Sequence, residues 1–266
     1  MFYSALHSVL MSWGDVRPAV AALAEASQSG SWHPEEISAT ATNTLKELGR
    51  QDDSRATAAA WKYFDALLLH DVMDAFHINT MLGLCTNADH IEKVLTASGL
   101  WSPSQSTVAS GAGSLNPSQL VVNKSHPAHV QLLGAKDQEL TYQLASRAWL
   151  RIGNVNYAAA TLAKSSAVVG GWGKKKLRRK VVSTLRALYD DAARSHDQEK
   201  REKAQAYFFA LHARGLTDHH SCKLALRWCV DDGAGHGAAE ATALRDAIEQ
   251  AGMSVDGIHS RRRHSK

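Results

Sequence analysis

The stretch from Asp74 to Gly99, DAFHINTMLGLCTNADHIEKVLTASG, decides the fold. Its first half carries apolar residues at Phe76, Met81, Leu82, Leu84 and Cys85, and its second at Ile91, Val94, Leu95 and Ala97. Polar Thr86, Asn87 and Asp89 separate the two, so the pattern predicts helix, tight turn, helix. Isolated helices below ~12 to 15 residues are marginal in water, and each half must bury its stripe on the other and on neighbouring hairpins.

Neighbours of the same plan stand at both ends of the chain. Tyr3-Ser-Ala-Leu leads through Trp13 to Gly14-Asp15 and a second helix, which closes in Ser29-Gly-Ser-Trp-His-Pro34 where the later hairpin closes in Ser98-Gly-Leu-Trp-Ser-Pro103. Ser221-Cys-Lys-Leu-Ala-Leu-Arg-Trp-Cys-Val-Asp-Asp-Gly233 begins the plan again. Self-similarity at a period in the thirties is the mark of a solenoid.

Composition agrees with an array. The five prolines and most glycines fall between periodic segments, and no run alternates apolar with polar long enough to make a strand. We therefore expect an all-α protein, a right-handed superhelical α-solenoid of about five to six helix-turn-helix repeats. The net charge of +4 and a pI of about 8.9 permit contact with a polyanion without demanding it. Cys85, Cys222 and Cys229 lack metal-ligand or disulfide spacing and read as core thiols. No window reaches the ~18 to 20 apolar residues of a membrane span, so no membrane partner is expected. Met1 runs almost directly into a helix with no leader, a start inside a repeat that reads as a fragment or processed form.

In order, residues 1–101 hold three hairpins. In the first, Leu6, Val9 and Leu10 should face Val20, Leu23 and Ala24 across Gly14-Asp15; in the second, Trp61, Phe64, Leu67 and Leu68 should supply the buried face. Residues 102–137 are an irregular insertion, rich at first in Ser, Gly and Pro, with short helices expected near 119–122 and 129–133. Residues 138–256 hold three more hairpins, and 257–266 form a basic, disordered tail.

These hairpins resemble pentatricopeptide repeats, RNA-binding units of about 35 residues found in organelles. The likeness rests on Ala75-Phe-His-Ile-Asn-Thr-Met-Leu-Gly-Leu-Cys85, on Tyr3-Ser-Ala-Leu with Gly14-Asp15, and on Cys222-Lys-Leu-Ala-Leu with Gly233. It covers about two thirds of the chain and fades between Ser102 and Gln138. Asp52 stands where a turn glycine is usual. Tetratricopeptide repeats are the nearest competitor, but their ordered Trp, Leu-Gly and Tyr are missing.

The resemblance implies binding of single-stranded RNA in a concave groove, in a mitochondrion or chloroplast, for RNA processing, stability or translation. It also implies that the fifth residue of each first helix and the last residue of the unit read one base edge. The pairs would be Ser4 with Glu35, Thr42 with Asp74, and Asn79 with Ser104, with Phe76 stacking on a base and Lys223 suited to a phosphate. Read without the resemblance, Thr42 and Asn79 are solvent-facing or capping residues.

Six cations fall in the seven residues Lys174-Lys-Lys-Leu-Arg-Arg-Lys180. Packing the stripe that continues at Val181 and Leu185 would turn Lys175, Arg178 and Arg179 outward as a phosphate-neutralising surface, or simply a solvated face. Trp172 beside them offers a stacking surface. The fourteen histidines are scattered, and adjacent His219 and His220 do not aim at one ion. No nucleophile elbow, phosphate-cradling glycine loop or paired carboxylate is present, so no enzyme, cofactor or metal is expected. The alternative partner is a protein: Trp32, Trp101 and Trp172, expected to be exposed at unit ends, suit a scaffold in an organellar ribosome or other assembly. A third reading is the binding half of a larger enzyme.

Overall fold

The computed structural model describes residues 2–51, 53–101, 133–167 and 173–231, together with Thr242, Arg245, Asp246 and Glu249. Among the described residues there are eleven helices and no strand, so the protein is all-α. They are α1 (Phe2–Ser12), α2 (Val16–Gln28), α3 (Pro34–Arg50), α4 (Ser54–Leu69), α5 (Ala75–Leu84), α6 (Ala88–Ala97), α7 (Ala135–Arg151), α8 (Val155–Ala167), α9 (Lys174–Ser195), α10 (Gln198–His212) and α11 (His219–Asp231). The chain forms two compact units, Met1–Ile152 and Gly153–Lys266. The expected short helices near 119–122 and 129–133, most of the last hairpin, Ser104, Trp172 and the basic tail lie outside the described residues.

Local chemistry sets the helix ends. Asp53, Asp74, Asn87 and Asp197 accept hydrogen bonds from the first backbone N–H groups of α4, α5, α6 and α10, and Asp218 does so for α11. Each satisfies donors that a helix start leaves orphaned. One closing motif recurs at the ends of α1, α2, α4, α6 and α10. The N–H groups of Asp15, Ser31, Val72, Leu100 and Leu216 reach back to the carbonyls of Leu10, Ala26, Leu67, Leu95 and Leu211 at 2.9 to 3.1 Å. The residue before each is left-handed: Gly14, Gly30, Asp71, Gly99 and Gly215, with φ of 81°, 65°, 55°, 72° and 65°. This is a Schellman-type cap. Four of the five positions hold the glycine that conformation favours, and the other holds an aspartate.

Among α3, α5 and α7, between α4 and α6, and between α9 and α11, helices two apart in the chain run side by side in the same direction. In the N-terminal unit, Ser38 of α3 meets Asp74 and His77 at the start of α5, while Gly49 at the end of α3 lies against Leu84 at the end of α5. Asn79 of α5 meets Thr141 of α7, and the carbonyls of Leu82 and Cys85 accept from Arg151 at 3.1 and 2.8 Å. Trp61 and Asp65 of α4 meet His90 and Lys93 of α6 in the same order. In the C-terminal unit, Arg178 and Tyr189 of α9 meet Asp218 and Trp228 of α11. Helix α7, grouped by sequence with the later repeats, packs on α5 and α6.

Several burial expectations are corrected. In α1 the buried residue is His7, bonded through Nε2 to the Tyr63 hydroxyl at 2.9 Å, whereas Val9 is 42% exposed. Helix α4 buries Ala56, Ala60, Tyr63, Phe64, Ala66 and Leu67, which leaves Leu68 38% exposed and Trp61 half-buried. Trp101, expected at the surface, is buried beside Trp149, with ring centres 6.3 Å apart, and Trp32 is half-buried. The large apolar area of the Trp101 indole is covered here against Trp149.

Candidate nucleic-acid interface

Of the residues expected to read bases, Asp74 and Asn79 are engaged within the fold and Thr42 is buried. Thr42 is buried, and its hydroxyl has no hydrogen-bond partner among the described residues. Asp74 is the N-cap of α5, accepting from Phe76 N–H at 2.8 Å and His77 N–H at 3.1 Å as well as from the Ser38 hydroxyl. Its own N–H donates to His77 Nδ1 at 3.0 Å, and His77 Nε2 donates to the Ser38 carbonyl at 3.2 Å. Both ring nitrogens are used by a neutral imidazole, and burial lowers the His77 pKa against the pull of Asp74. The 3.0 Å approach of Asp74 Oδ1 to Nδ1 is therefore no ion pair.

Asn79 is half-buried, and its amide oxygen lies 2.9 Å from Thr141 Oγ1, which is also 2.8 Å from the Asp137 carbonyl. One hydroxyl proton cannot serve two acceptors. Both contacts are met when the Asn79 amide is turned over and donates its N–H. Asp74 and His77 with Ser38, and Asn79 with Thr141, tie α3, α5 and α7 together, which the sequence concealed because a repeat-internal contact and a base contact ask for the same short polar side chains. Ser4 and Glu35 are exposed.

Phe76 stands out on the same helices. Its ring is 67% exposed on α5, one turn before Asn79, with exposed Gly83 two turns along the same stripe. It does not join the buried stripe that its spacing suggested. Because α3, α5 and α7 are parallel and in contact, helical periodicity brings exposed Lys46 on α3 and exposed Lys136, Leu140 and Arg147 on α7 to the same side. Glu35 is the acid at the beginning of that side. A flat ring flanked by cations can stack on a base while the cations meet phosphates.

The C-terminal unit presents a denser array. Lys175, Arg178 and Arg179 of α9 are exposed, and so is Arg186. Lys175, Arg179 and Arg186 stand at i, i+4 and i+11, one stripe of a helix whose other side buries Val181, Leu185, Tyr189 and Ala192. Arg178 turns instead to Asp218 in an ion pair at the start of α11, which gives the guanidinium a structural partner. Exposed Lys223 extends the basic surface onto α11, held parallel by the Tyr189–Trp228 stack, whose rings are 5.6 Å apart and 10° from coplanar. Acidic residues outnumber basic ones in residues 1–152, so residues 153–266 carry more than the whole positive excess of the chain.

Comparison with protein-family models, with curated proteins and with solved structures returned no match. No helix among the described residues is long and apolar enough to cross a membrane. Sequence reasoning missed Lys46, Lys136, Arg147 and Arg186, each an isolated cation outside any charge run. Their signal is positional: each lies opposite the apolar stripe of its helix, on the side that parallel packing leaves open.

Proposed function

We propose that the chain binds single-stranded RNA as an array of helical hairpins, stacked as a right-handed superhelical solenoid. The basic stripe of Lys175, Arg179 and Arg186 on α9, extended by Lys223, is the observation that carries the reading. Three cations spaced along one face suit successive phosphates, and neutralising them releases counterions, which makes affinity salt-dependent and blind to sequence. Phe76 adds a stacking site for an unpaired base. The parallel, in-register contacts of α3, α5 and α7 and of α9 and α11 support the stacked arrangement, in which hairpins repeat their neighbours' contacts. By its resemblance to pentatricopeptide repeats, the bound transcript would be an organellar one.

Base reading by Thr42, Asp74 and Asn79 drops out of this mechanism, because Thr42 is buried and the other two are hydrogen-bonded within the fold. The second reading, a scaffold for a protein, is favoured by exposed Leu140 on the same side as Phe76 and by the acidic balance of residues 1–152. Binding of a mixed-sequence single-stranded RNA, followed by fluorescence anisotropy across a salt series, separates the two. The Lys175→Ala, Arg179→Ala, Arg186→Ala triple variant should bind weakly, with a log–log salt slope shallower by about 2, at roughly 0.7 per lost contact. Unchanged affinity and slope in the variant would favour the scaffold.

A further inference from the structure

Helix α1 carries an apolar seam that none of the other described helices covers. Phe2 is 72% exposed, Val9 42% and Trp13 72%, with half-buried Leu6 between them. Trp13 still belongs to the helical run, its N–H bonded to the Val9 carbonyl at 3.1 Å. The four residues are separated by four, three and four positions, the spacing of a two-heptad coiled-coil seam. They fall on one narrow stripe, and His7, which points into the fold toward Tyr63, lies on the far side of the helix.

We propose that this seam is a homodimer contact, in which α1 packs antiparallel against α1 of a second copy. Two features select that occupant. The spacing is palindromic, so a two-fold axis midway between His7 and Ser8 places Phe2 against Trp13 of the other copy and Leu6 against its Val9, large against large and small against small. Residues 2–13 also contain no Asp, Glu, Lys or Arg, so the pairing sets no like charges together and offers a charged partner no complement. The seam exposes roughly 400 Å² per copy, about half of the ~800 Å² per partner of a standard interface. The dimer is accordingly weak, on the order of micromolar.

Sedimentation equilibrium of the full chain over a concentration series tests this. A monomer–dimer equilibrium is expected, and Val9→Glu with Trp13→Glu should abolish it at unchanged helix content, since both side chains already face solvent. Register has its own test: a mixture of Phe2→Cys and Trp13→Cys chains should form an intermolecular disulfide that neither variant forms alone. A monomer at every concentration, a dimer that survives the Glu substitutions, or crosslinking of each Cys variant with itself overturns the proposal.

Discussion

At the residue scale, two buried histidines give the N-terminal unit a pH dependence. Burial holds His7 and His77 below the ordinary value of 6.5, so the folded chain keeps them neutral where the unfolded chain takes up protons. Their stabilising contribution is complete above 6.5 and is lost as pH falls below it toward the depressed values. Thermal unfolding followed from about pH 7.5 to about pH 5 should show a falling midpoint, flattened in His77→Gln. A midpoint that rises over that range would contradict neutral histidines. Asp71 carries a backbone prediction. It occupies a left-handed cap position that glycine holds at the ends of α1, α2, α6 and α10, so Asp71→Ala, which lacks the short polar side chain that tolerates this conformation, should lower stability by about 1 kcal/mol, read from denaturant midpoints. Neither feature was legible in advance. His7 sits among apolar residues with nothing to mark it as the inward one, and the cap is invisible where aspartate replaces glycine.

At the scale of elements, helix existence was legible and helix rotation was not. The hairpin of α5 and α6 emerged from its apolar spacing, and Gly14 and Gly153 turn the chain where expected, with φ of 81° and 88°. Rotation failed at the end of α4 because Leu68 is as apolar as the Leu67 that took the interior, and in α1 because the interior place went to a polar residue, His7, and not to Val9. What orients α5 is its polar contact with α3 on one side and α7 on the other, between residues far apart in the chain. A double-mutant cycle of Asn79→Ala and Thr141→Val should return a coupling of about 0.5 to 1.5 kcal/mol in folding stability. Additive effects within error would mean that the amide and hydroxyl do not meet, and would return Asn79 to the solvent.

At the scale of the whole molecule, charge run and burial together carry the functional reading. The run at 174–180 was plain in the sequence, but its division of labour was not. Arg178 anchors α11 through Asp218, while Lys175, Arg179 and the distant Arg186 share the outer stripe. The expected base-reading set was legible only as polar residues at helical positions, and a tie between neighbouring helices uses those same residues. On the proposed reading a base stacked on Phe76 would contribute about 1 to 3 kcal/mol, so Phe76→Ala should weaken RNA binding even where the phosphate contacts remain.

The central claim is that RNA lies on α5 and α9, and ultraviolet crosslinking of the full chain to a mixed-sequence single-stranded RNA tests it most directly, with modified peptides identified by mass spectrometry. The account predicts adducts within Ala75–Leu84, at Phe76, and within Lys174–Ser195. Adducts confined to α2, α4 and α6, or none at an RNA concentration that crosslinks a known single-strand-binding protein, would contradict it.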